Sequence, residues 1–292
     1  MDQPIVVGVV SARIVHNKAA NTATLKDWIA QAAAKNVQFL VLPELALQGG
    51  LFGMNRGYDP DEFAYHWQHA ETVPGPATAM LAECAQNTNM HINFGMFEKV
   101  ETPSGAHLFN SSVLITPQGE ITSYRKIHQP IEEQIFYTAG SEWRVVSTEV
   151  GRVGLMICYD QSFPDAAREL TLRGAEMLAA PSAWAFIDSQ SIERYDLFGR
   201  ARALENNRYV LQSNQVGQSD KSDLRYLGNS RIIDPDGVVI AATPEGSEGL
   251  TLAEIRPSTH FPARANTRWY LKQRKPGLYG QISTIFTNQI DD

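Results

Sequence analysis

The sequence predicts an α/β fold, and three patterns near its amino terminus support this prediction. PIVVGVV at 4–10 predicts an apolar strand, residues 21–36 have the apolar spacing of a helix, and VQFLVLP at 37–43 predicts a second buried strand. The order strand, helix, strand favours helices layered on a sheet over a helical bundle or a sandwich of hairpins. With 292 residues, 43% of them hydrophobic, the chain can form one large core or two small ones.

The charge and cysteine content argue against several classes of protein. The chain has 25 Lys and Arg against 32 Asp and Glu, without a basic stripe, so nucleic acid is not an expected partner. The apolar run at the amino terminus is too short for a signal sequence or a membrane span. The two cysteines, Cys84 and Cys158, do not suggest a disulfide framework. We therefore expect a cytoplasmic protein that does not contact membranes.

The next elements follow from turn signals and periodicity. Residues 48–73 are rich in Gly and aromatic residues and are predicted to be irregular. The pair His66 and His69 lies there, but further ligands at recognisable spacing are missing, so we assign no metal. A helix is predicted from Pro76 to about Asn87, and strands are predicted at 91–97, 108–115 and 120–126, the last two joined by a turn at 117–119.

The second half of the chain continues the alternation. After a loop at 128–140, we predict a strand at 153–157, a helix from Pro164, a strand at 177–181, a helix ending near Asn206 and a strand at 208–213. A hairpin with its turn at 234–237 closes a globular domain over 1–255. Residues 256–292 lack periodicity and predict an extended tail that packs at an oligomer interface.

Three chemically reactive side chains follow apolar strands. Cys158 stands between the strand at 153–157 and the Pro164 helix, Glu44 ends the second strand, and Lys126 ends the strand at 120–126. Taken singly, they match a core thiol, a solvated carboxylate and a surface lysine. Because strand ends of one open α/β sheet meet at the same edge, we expect the three to converge there. Glu133, or its neighbour Glu132, is a fourth candidate.

These segments together resemble the nitrilase, or carbon–nitrogen hydrolase, superfamily, in its amidase and N-carbamoyl hydrolase branch. The matching motifs are LPEL at 42–45, YRKIH at 124–128, EQIFYTAG at 133–140, GLMICYDQSFPDAARELTLRGAE at 154–176, RARALENNRYVLQSNQVG at 200–217 and RYLGNSRIIDPDGVVI at 225–240. The resemblance implies a four-layer α-β-β-α sandwich whose subunits pair, commonly as a homodimer or larger homo-oligomer, with tails that cross over. It implies no cofactor.

The resemblance also implies a role for each candidate. Cys158 would be the nucleophile, Glu44 the general base, Lys126 the cationic stabiliser and Glu133 the second glutamate of the set. Glu133 is preferred over Glu132 because it lies seven residues before Gly140, as in the family pattern. The oxyanion of a tetrahedral intermediate would be bound by the Lys126 ammonium and the backbone N–H of Tyr159.

The residues after the nucleophile favour amides over nitriles. Nitrilases of this superfamily resemble one another in a Cys-Trp-Glu sequence, whereas this chain has Cys158, Tyr159 and Asp160. Hydrolases of N-carbamoyl-D-amino acids carry arginines where this chain has Gln161 and Ser162. We therefore predict a thiol hydrolase that releases ammonia from a small carboxamide or an N-carbamoyl amine. A nitrilase and an N-carbamoyl amino acid amidohydrolase remain the alternatives.

The substrate pocket is predicted from the loops near the nucleophile. Trp184, Gln161 and Tyr58 are the candidate substrate-binding residues, although each aromatic ring could equally pack its own loop. Two further functions remain open: acyl transfer or ammonia delivery to a partner enzyme, and a silent binding protein. The fused synthetase domain that delivery would suggest is missing from the sequence, and a silent protein would be expected to lose part of the Glu-Lys-Glu-Cys set.

Overall fold

Two six-stranded β-sheets form the centre of the computed structural model, which describes residues 3–50, 59–103, 105–257 and 270–284. The first seven strands are β1 (Ile5–Ser11), β2 (Phe39–Val41), β3 (His91–Thr102), β4 (Gly105–Ile115), β5 (Ile121–Arg125), β6 (Arg144–Thr148) and β7 (Gly151–Leu155). The next seven are β8 (Met177–Ser182), β9 (Tyr209–Asn214), β10 (Val216–Gln218), β11 (Arg225–Leu227), β12 (Arg231–Ile233), β13 (Val239–Ala242) and β14 (Gly249–Ile255). The helices are α1 (Lys18–Ala33), α2 (Pro60–His69), α3 (Pro76–Thr88), α4 (Pro164–Leu172) and α5 (Ser191–Asn206).

Each sheet has a parallel centre and antiparallel edges. The first sheet has the order β14-β1-β2-β3-β4-β5, with β1, β2 and β3 parallel. The second has the order β13-β12-β9-β8-β7-β6, with β7, β8 and β9 parallel. The β10–β11 hairpin is separate.

Three apolar clusters divide the molecule into four layers. On the outer face of the first sheet, Leu25 of α1 and Leu81 of α3 pack with strand residues such as Ile92. On the outer face of the second sheet, Leu170 of α4 packs with strand residues such as Leu178. The third cluster fills the space between the sheets, and its members from the two sheets include Val7, Phe39, Val41, Leu155, Met177 and Leu211. The predicted four-layer α-β-β-α sandwich is therefore confirmed.

Most of the predicted elements are present, with shifted ends. The first helix starts at Lys18 rather than near Asn21, because the Asn17 side chain accepts the backbone N–H of Ala20 as an N-cap. The predicted strands at 91–97 and 108–115 extend into the longer β3–β4 hairpin. Strands β6, β10, β11 and β14 were not predicted, and β14 pairs antiparallel with β1 although 238 residues separate Ser11 from Gly249.

The prediction of an irregular segment over 48–73 is wrong for residues 60–69, which form α2. Asp59 caps this helix by accepting the backbone N–H groups of Asp61 and Glu62, and Pro60 occupies its first turn. His66 and His69 consequently lie on a helix rather than in a loop.

The carboxyl-terminal part that the structure describes has little regular secondary structure. Residues 270–284 contain two short 3-10 turns, Pro276–Leu278 and Gly280–Ser283, and Leu278 and Ile282 are exposed. The boundary at residue 255 stays a prediction. Across the described part of the chain, none of the helices has the length and apolar character needed to cross a membrane.

Candidate active site

The predicted catalytic residues meet in the cleft between the two sheets. Glu44 follows β2 and Lys126 follows β5, both in the first sheet, whereas Cys158 follows β7 in the second. The expectation that one sheet edge carries all of them is therefore corrected: facing edges of two stacked sheets supply them. Lys126 joins the two glutamates, since it binds Glu44 across 82 residues of sequence and Glu133 across seven.

Lys126 lies fully buried between two carboxylates. Its Nζ donates to Glu44 Oε1 at 2.8 Å and to Glu133 Oε1 at 2.5 Å. Burial alone lowers the pKa of the lysine, but the charges of Glu133 and Glu44 raise it above its ordinary value. Lys126 therefore carries a positive charge throughout the neutral pH range, inside a site where a charge acts strongly.

Glu44 is oriented by donors to both of its oxygens. Oε1 accepts Nδ2 of Asn110 at 2.8 Å in addition to Lys126, and Oε2 accepts the backbone N–H of Ala183 at 2.7 Å. The backbone carbonyl of Glu44 accepts Gln215 Nε2 at 2.8 Å. Residues from both sheets thus hold the Glu44 carboxylate in one orientation, as a proton acceptor requires.

Glu133 lies in a 3-10 turn, Glu133–Ile135, and is the glutamate that contacts Lys126. Its Oε2 accepts Asn110 Nδ2 at 3.2 Å, so Asn110 bridges the carboxylates of Glu44 and Glu133. Burial raises the pKa of Glu133 to about 7; the Lys126 charge opposes this shift and the Glu44 charge adds to it. Glu132, the alternative candidate, is half-buried beside it.

Helix α2, which the sequence did not predict, braces the Glu133 turn. The backbone N–H of Tyr137 donates to the Glu133 carbonyl at 2.9 Å, and the Tyr137 hydroxyl lies 3.0 Å from His66 Nδ1. The two rings stack with centroids 5.5 Å apart. Burial lowers the pKa of His66 to about 3, and His16 and His69 act in the same direction. The neutral imidazole thus serves as a packing and hydrogen-bonding partner in the neutral pH range.

Cys158 begins a 3-10 turn, Cys158–Ser162, in a strained conformation with φ of 43°. Asp160 Oδ2 accepts the backbone N–H of Ile157 at 2.9 Å, and Gln161 Nε2 donates to the Cys158 carbonyl at 3.2 Å. Burial raises the pKa of the Cys158 thiol well above its ordinary value, Glu44 adds to this shift, and Lys126 opposes it. The resting thiol therefore keeps its proton and needs an adjacent base for activation.

The predicted substrate-binding residues have different surroundings. Trp184 is half-buried in the loop after β8, with its ring centroid 5.6 Å from that of Tyr195. Gln161 is fully buried; its Nε2 also donates to Ser182 Oγ and its Oε1 accepts Gln212 Nε2. These contacts hold the Cys158–Ser162 turn, and a substrate contact of Gln161 stays a prediction. Tyr58 lies outside the described residues. Tyr159 is half-buried and directly follows Cys158, and its role as an oxyanion donor stays a prediction.

The sequence predictions missed two groups that donate hydrogen bonds to Glu44. Asn110 lies within β4, in LFNSSVLI, where a buried amide among apolar residues is a usable signal for a polar task. The backbone N–H of Ala183 contacts Glu44 and also lowers the pKa of Cys158, but a backbone group leaves no trace in the residue type. Among the residues that the structure describes, no three or more His, Cys, Asp or Glu side chains group as metal ligands.

A carboxylate, a buried ammonium and a thiol lie in one cleft, an arrangement suited to a cysteine hydrolase, and comparisons with known proteins identify the family. The sequence profile of the family described as "Carbon-nitrogen hydrolase" matches residues 6–264. A nitrilase from Pyrococcus abyssi is 32% identical over 237 residues, covering 80% of this chain and 83% of its own. A 2-oxoglutaramate amidase from Paenarthrobacter nicotinovorans is 30% identical, covering 89% and 90%.

The fold comparison is consistent with this result. The crystal structure of a carbon-nitrogen hydrolase from Helicobacter pylori superposes with a TM-score of 0.84 at 24% identity, covering 97% of this chain and 99% of that one. The family profile and the relatives at 30% identity or more show that the chain is a hydrolase of carbon–nitrogen bonds other than peptide bonds. It belongs to the carbon-nitrogen hydrolase family, within the nitrilase superfamily.

Proposed function

We propose that this enzyme is a thiol amidase that hydrolyses small carboxamides or N-carbamoyl amines through a thioester on Cys158, releasing ammonia. The observation that carries the proposal is the Lys126 ammonium, bound between Glu44 and Glu133 in the cleft that contains Cys158. A fixed cation beside a thiol stabilises an oxyanion, and a fixed carboxylate beside the same thiol accepts its proton.

Acylation uses each of these groups. Glu44 takes the proton of the Cys158 thiol, and the sulfur attacks the carbonyl carbon, forming the S–C bond while the carbonyl oxygen takes the electron pair. The oxyanion is stabilised by the Lys126 ammonium and, we propose, by the backbone N–H of Tyr159. When the oxyanion collapses, the C–N bond breaks, the nitrogen takes the proton from Glu44, and ammonia leaves.

Deacylation repeats the sequence with water. Glu44 removes a proton from water, the resulting hydroxide attacks the thioester carbon, and the C–S bond breaks. The sulfur then recovers the proton from Glu44, and the acid product leaves. Glu133 moves no proton in this scheme; it holds Lys126 in place and is positioned to bind the substrate nitrogen.

The surroundings of the nucleophile favour a substrate without a free α-carboxylate. Gln161 occupies the position where an arginine would bind such a group, and its side chain is committed to Ser182 and Gln212. The Ser162 Oγ is also buried. A carboxylate next to the reacting carbon would therefore lack the bidentate partner that usually binds it. Trp184 supplies an apolar wall instead, and Tyr58 is a second candidate for that wall.

A substrate panel tests this proposal. Ammonia release is measured with aliphatic and aromatic primary amides, N-carbamoyl amines, N-carbamoyl amino acids and the matching nitriles. We expect amides or N-carbamoyl amines to be hydrolysed at least about tenfold faster than their nitriles, because the site is arranged around a carbonyl oxyanion. Nitrile turnover equal to or above amide turnover would instead identify a nitrilase.

We also propose that the enzyme acts as a homodimer or a larger homo-oligomer, with the tail at the interface. Support comes from exposed apolar side chains on neighbouring outer helices, Leu172 on α4 and Leu197 on α5. The described part of the tail lies nearby, since Arg274 and Tyr279 affect the pKa of Arg168 on α4. A second copy of the chain would cover these side chains together with Leu278 and Ile282.

A further inference from the structure

We propose that Asp160 is a positioning residue that fixes Lys126 and Cys158 relative to each other across the two sheets. This inference rests on the proposed function, because it assigns Asp160 a part in activating the same thiol. Asp160 lies two residues after Cys158 and is fully buried.

Four donors converge on the Asp160 carboxylate. Oδ2 accepts the Tyr124 hydroxyl at 2.8 Å and the Ile157 backbone N–H at 2.9 Å. Oδ1 accepts the His128 backbone N–H at 3.0 Å and lies 2.9 Å from His128 Nδ1. A carboxylate next to a ring nitrogen selects the tautomer with its proton on Nδ1, so both oxygens accept two hydrogen bonds each.

The four donors belong to residues that are close in sequence to Lys126 and Cys158. Tyr124 and His128 lie two residues before and two residues after Lys126, and Ile157 lies directly before Cys158. One carboxylate therefore binds residues on both sides of the lysine, the Tyr124 hydroxyl and the backbone and ring of His128, beside β5 of the first sheet. It also binds the backbone directly before Cys158, which follows β7 of the second sheet. Glu44 and Glu133 fix only the ammonium end of Lys126.

The surroundings of this contact restrict its movement. The His128 ring stacks on Phe163 with centroids 3.8 Å apart, and Trp143 lies 5.8 Å away. Burial and the Asp160 charge raise the pKa of Tyr124, so the phenol remains a donor. An aspartate is required because it accepts all four hydrogen bonds. An asparagine would turn an NH₂ group toward two of the same donors.

Four variants test the role of Asp160. Asp160→Asn retains the shape of the side chain but loses two acceptor sites, and Tyr124→Phe removes a single donor. At position 128, Asn retains a donor near the place of Nδ1, whereas Leu removes it. The matched control for Asp160→Asn is Asp234→Asn, since the Asp234 carboxylate accepts two backbone N–H groups in the β12–β13 turn. The control for Tyr124→Phe is Tyr209→Phe, which removes the hydroxyl of a buried tyrosine on β9.

Two readouts separate positioning from a merely structural contribution. The first is kcat and KM for the best substrate of the panel. The second is the rate at which iodoacetamide alkylates Cys158 as a function of pH, with peptide mass spectrometry to separate this thiol from Cys84. Because Lys126 lowers the pKa of Cys158, a displaced Lys126 moves the alkylation midpoint to higher pH.

We expect Asp160→Asn to lower kcat about 100-fold and Tyr124→Phe about tenfold, with KM within about threefold of wild type. The alkylation midpoint should rise in both, His128→Asn should retain more activity than His128→Leu, and the controls should match wild type. If Asp160→Asn does not fold, the Tyr124 and His128 variants decide the question. Unchanged kcat and alkylation midpoint in folded variants would overturn the inference. Turnover by Cys158→Ala would overturn the proposed function instead.

Discussion

At the scale of single residues, the buried charges of the site explain one another. The Lys126 ammonium lies between two carboxylates, and these carboxylates also accept hydrogen bonds from Asn110 and the Ala183 backbone N–H. Removing the Lys126 charge would leave two carboxylates buried without a cation, which typically costs several kcal/mol, whereas neutral Glu133 still leaves the Lys126–Glu44 pair.

The titration of Glu133 makes the free energy of unfolding depend on pH. Its pKa is raised from 4.5 to about 7 by burial. Between pH 4.5 and about pH 7, Glu133 holds a proton in the folded protein but has released it in the unfolded chain. The stabilisation from this bound proton is therefore complete below about pH 4.5 and is lost as the pH rises to about 7. Glu133→Gln resembles the protonated form at every pH.

We therefore predict that the free energy of unfolding of wild type falls by roughly 1–3 kcal/mol relative to Glu133→Gln between pH 5 and pH 8. Urea unfolding at the two pH values measures this difference, and Glu132→Gln is the matched control, which should follow wild type. Parallel pH dependence in wild type and Glu133→Gln would contradict the prediction.

At the scale of elements, a glycine on β3 makes room for Glu44, the proposed base. A Cβ on Gly95 would lie 2.3 Å from the Leu45 backbone nitrogen and 2.6 Å from the Glu44 Cα. Leu45 itself has a φ of 50°, and the backbone N–H of Leu47 donates to the Gly95 carbonyl at 3.3 Å. The loop that carries Glu44 thus rests directly on the backbone of β3.

We predict that Gly95→Ala displaces Glu44 and lowers turnover at least about 100-fold, because backbone atoms cannot move aside as a flexible side chain can. Gly8→Ala on β1 is the matched control, since its Cβ would meet only the ends of Leu side chains, the nearest at 3.1 Å. Ammonia release and thermal unfolding are measured for both. Near-normal turnover in Gly95→Ala would show that the loop adjusts.

The sequence could predict the elements that carry Glu44, Lys126 and Cys158, because each follows a run of apolar residues typical of a buried strand. It could not predict α2, whose signals, Asp59 and Pro60, follow a Gly-rich stretch that predicts irregular backbone. Asn110 was missed because its amide, although a signal within an apolar strand, does not reveal its partners Glu44 and Glu133. Local sequence patterns do not predict contacts between residues that are distant in sequence.

At the scale of the whole molecule, the site depends on how two sheets face each other. Apolar strands and helices predict an α/β fold, but the periodicity of each strand does not say which sheet it joins. The prediction of four layers came from the family resemblance, and the three apolar clusters of the structure confirm it. The expectation of one shared sheet edge failed because stacking brings the strand ends of separate sheets together.

The exposed apolar side chains on the outer helices lead to a prediction at the same scale. We expect Leu172→Glu with Leu197→Glu, or truncation at Arg256, to reduce the mass of the particle in light scattering, because a charge at a buried interface opposes association. Val238→Glu, an exposed apolar residue in the β12–β13 turn, is the control. An oligomer of unchanged size in the first two variants would contradict the proposed interface.

The central claim is that Cys158 is the nucleophile, and the most direct test is ammonia release by Cys158→Ala. Cys84→Ala, at the half-buried thiol of α3, is the matched control. With the best substrate of the panel, we expect the Cys158 variant to lose at least about 10³-fold in turnover while the Cys84 variant retains wild-type activity. Intact mass spectrometry during turnover should detect an acyl adduct that maps to Cys158. Ammonia release by folded Cys158→Ala at the wild-type rate would contradict the account.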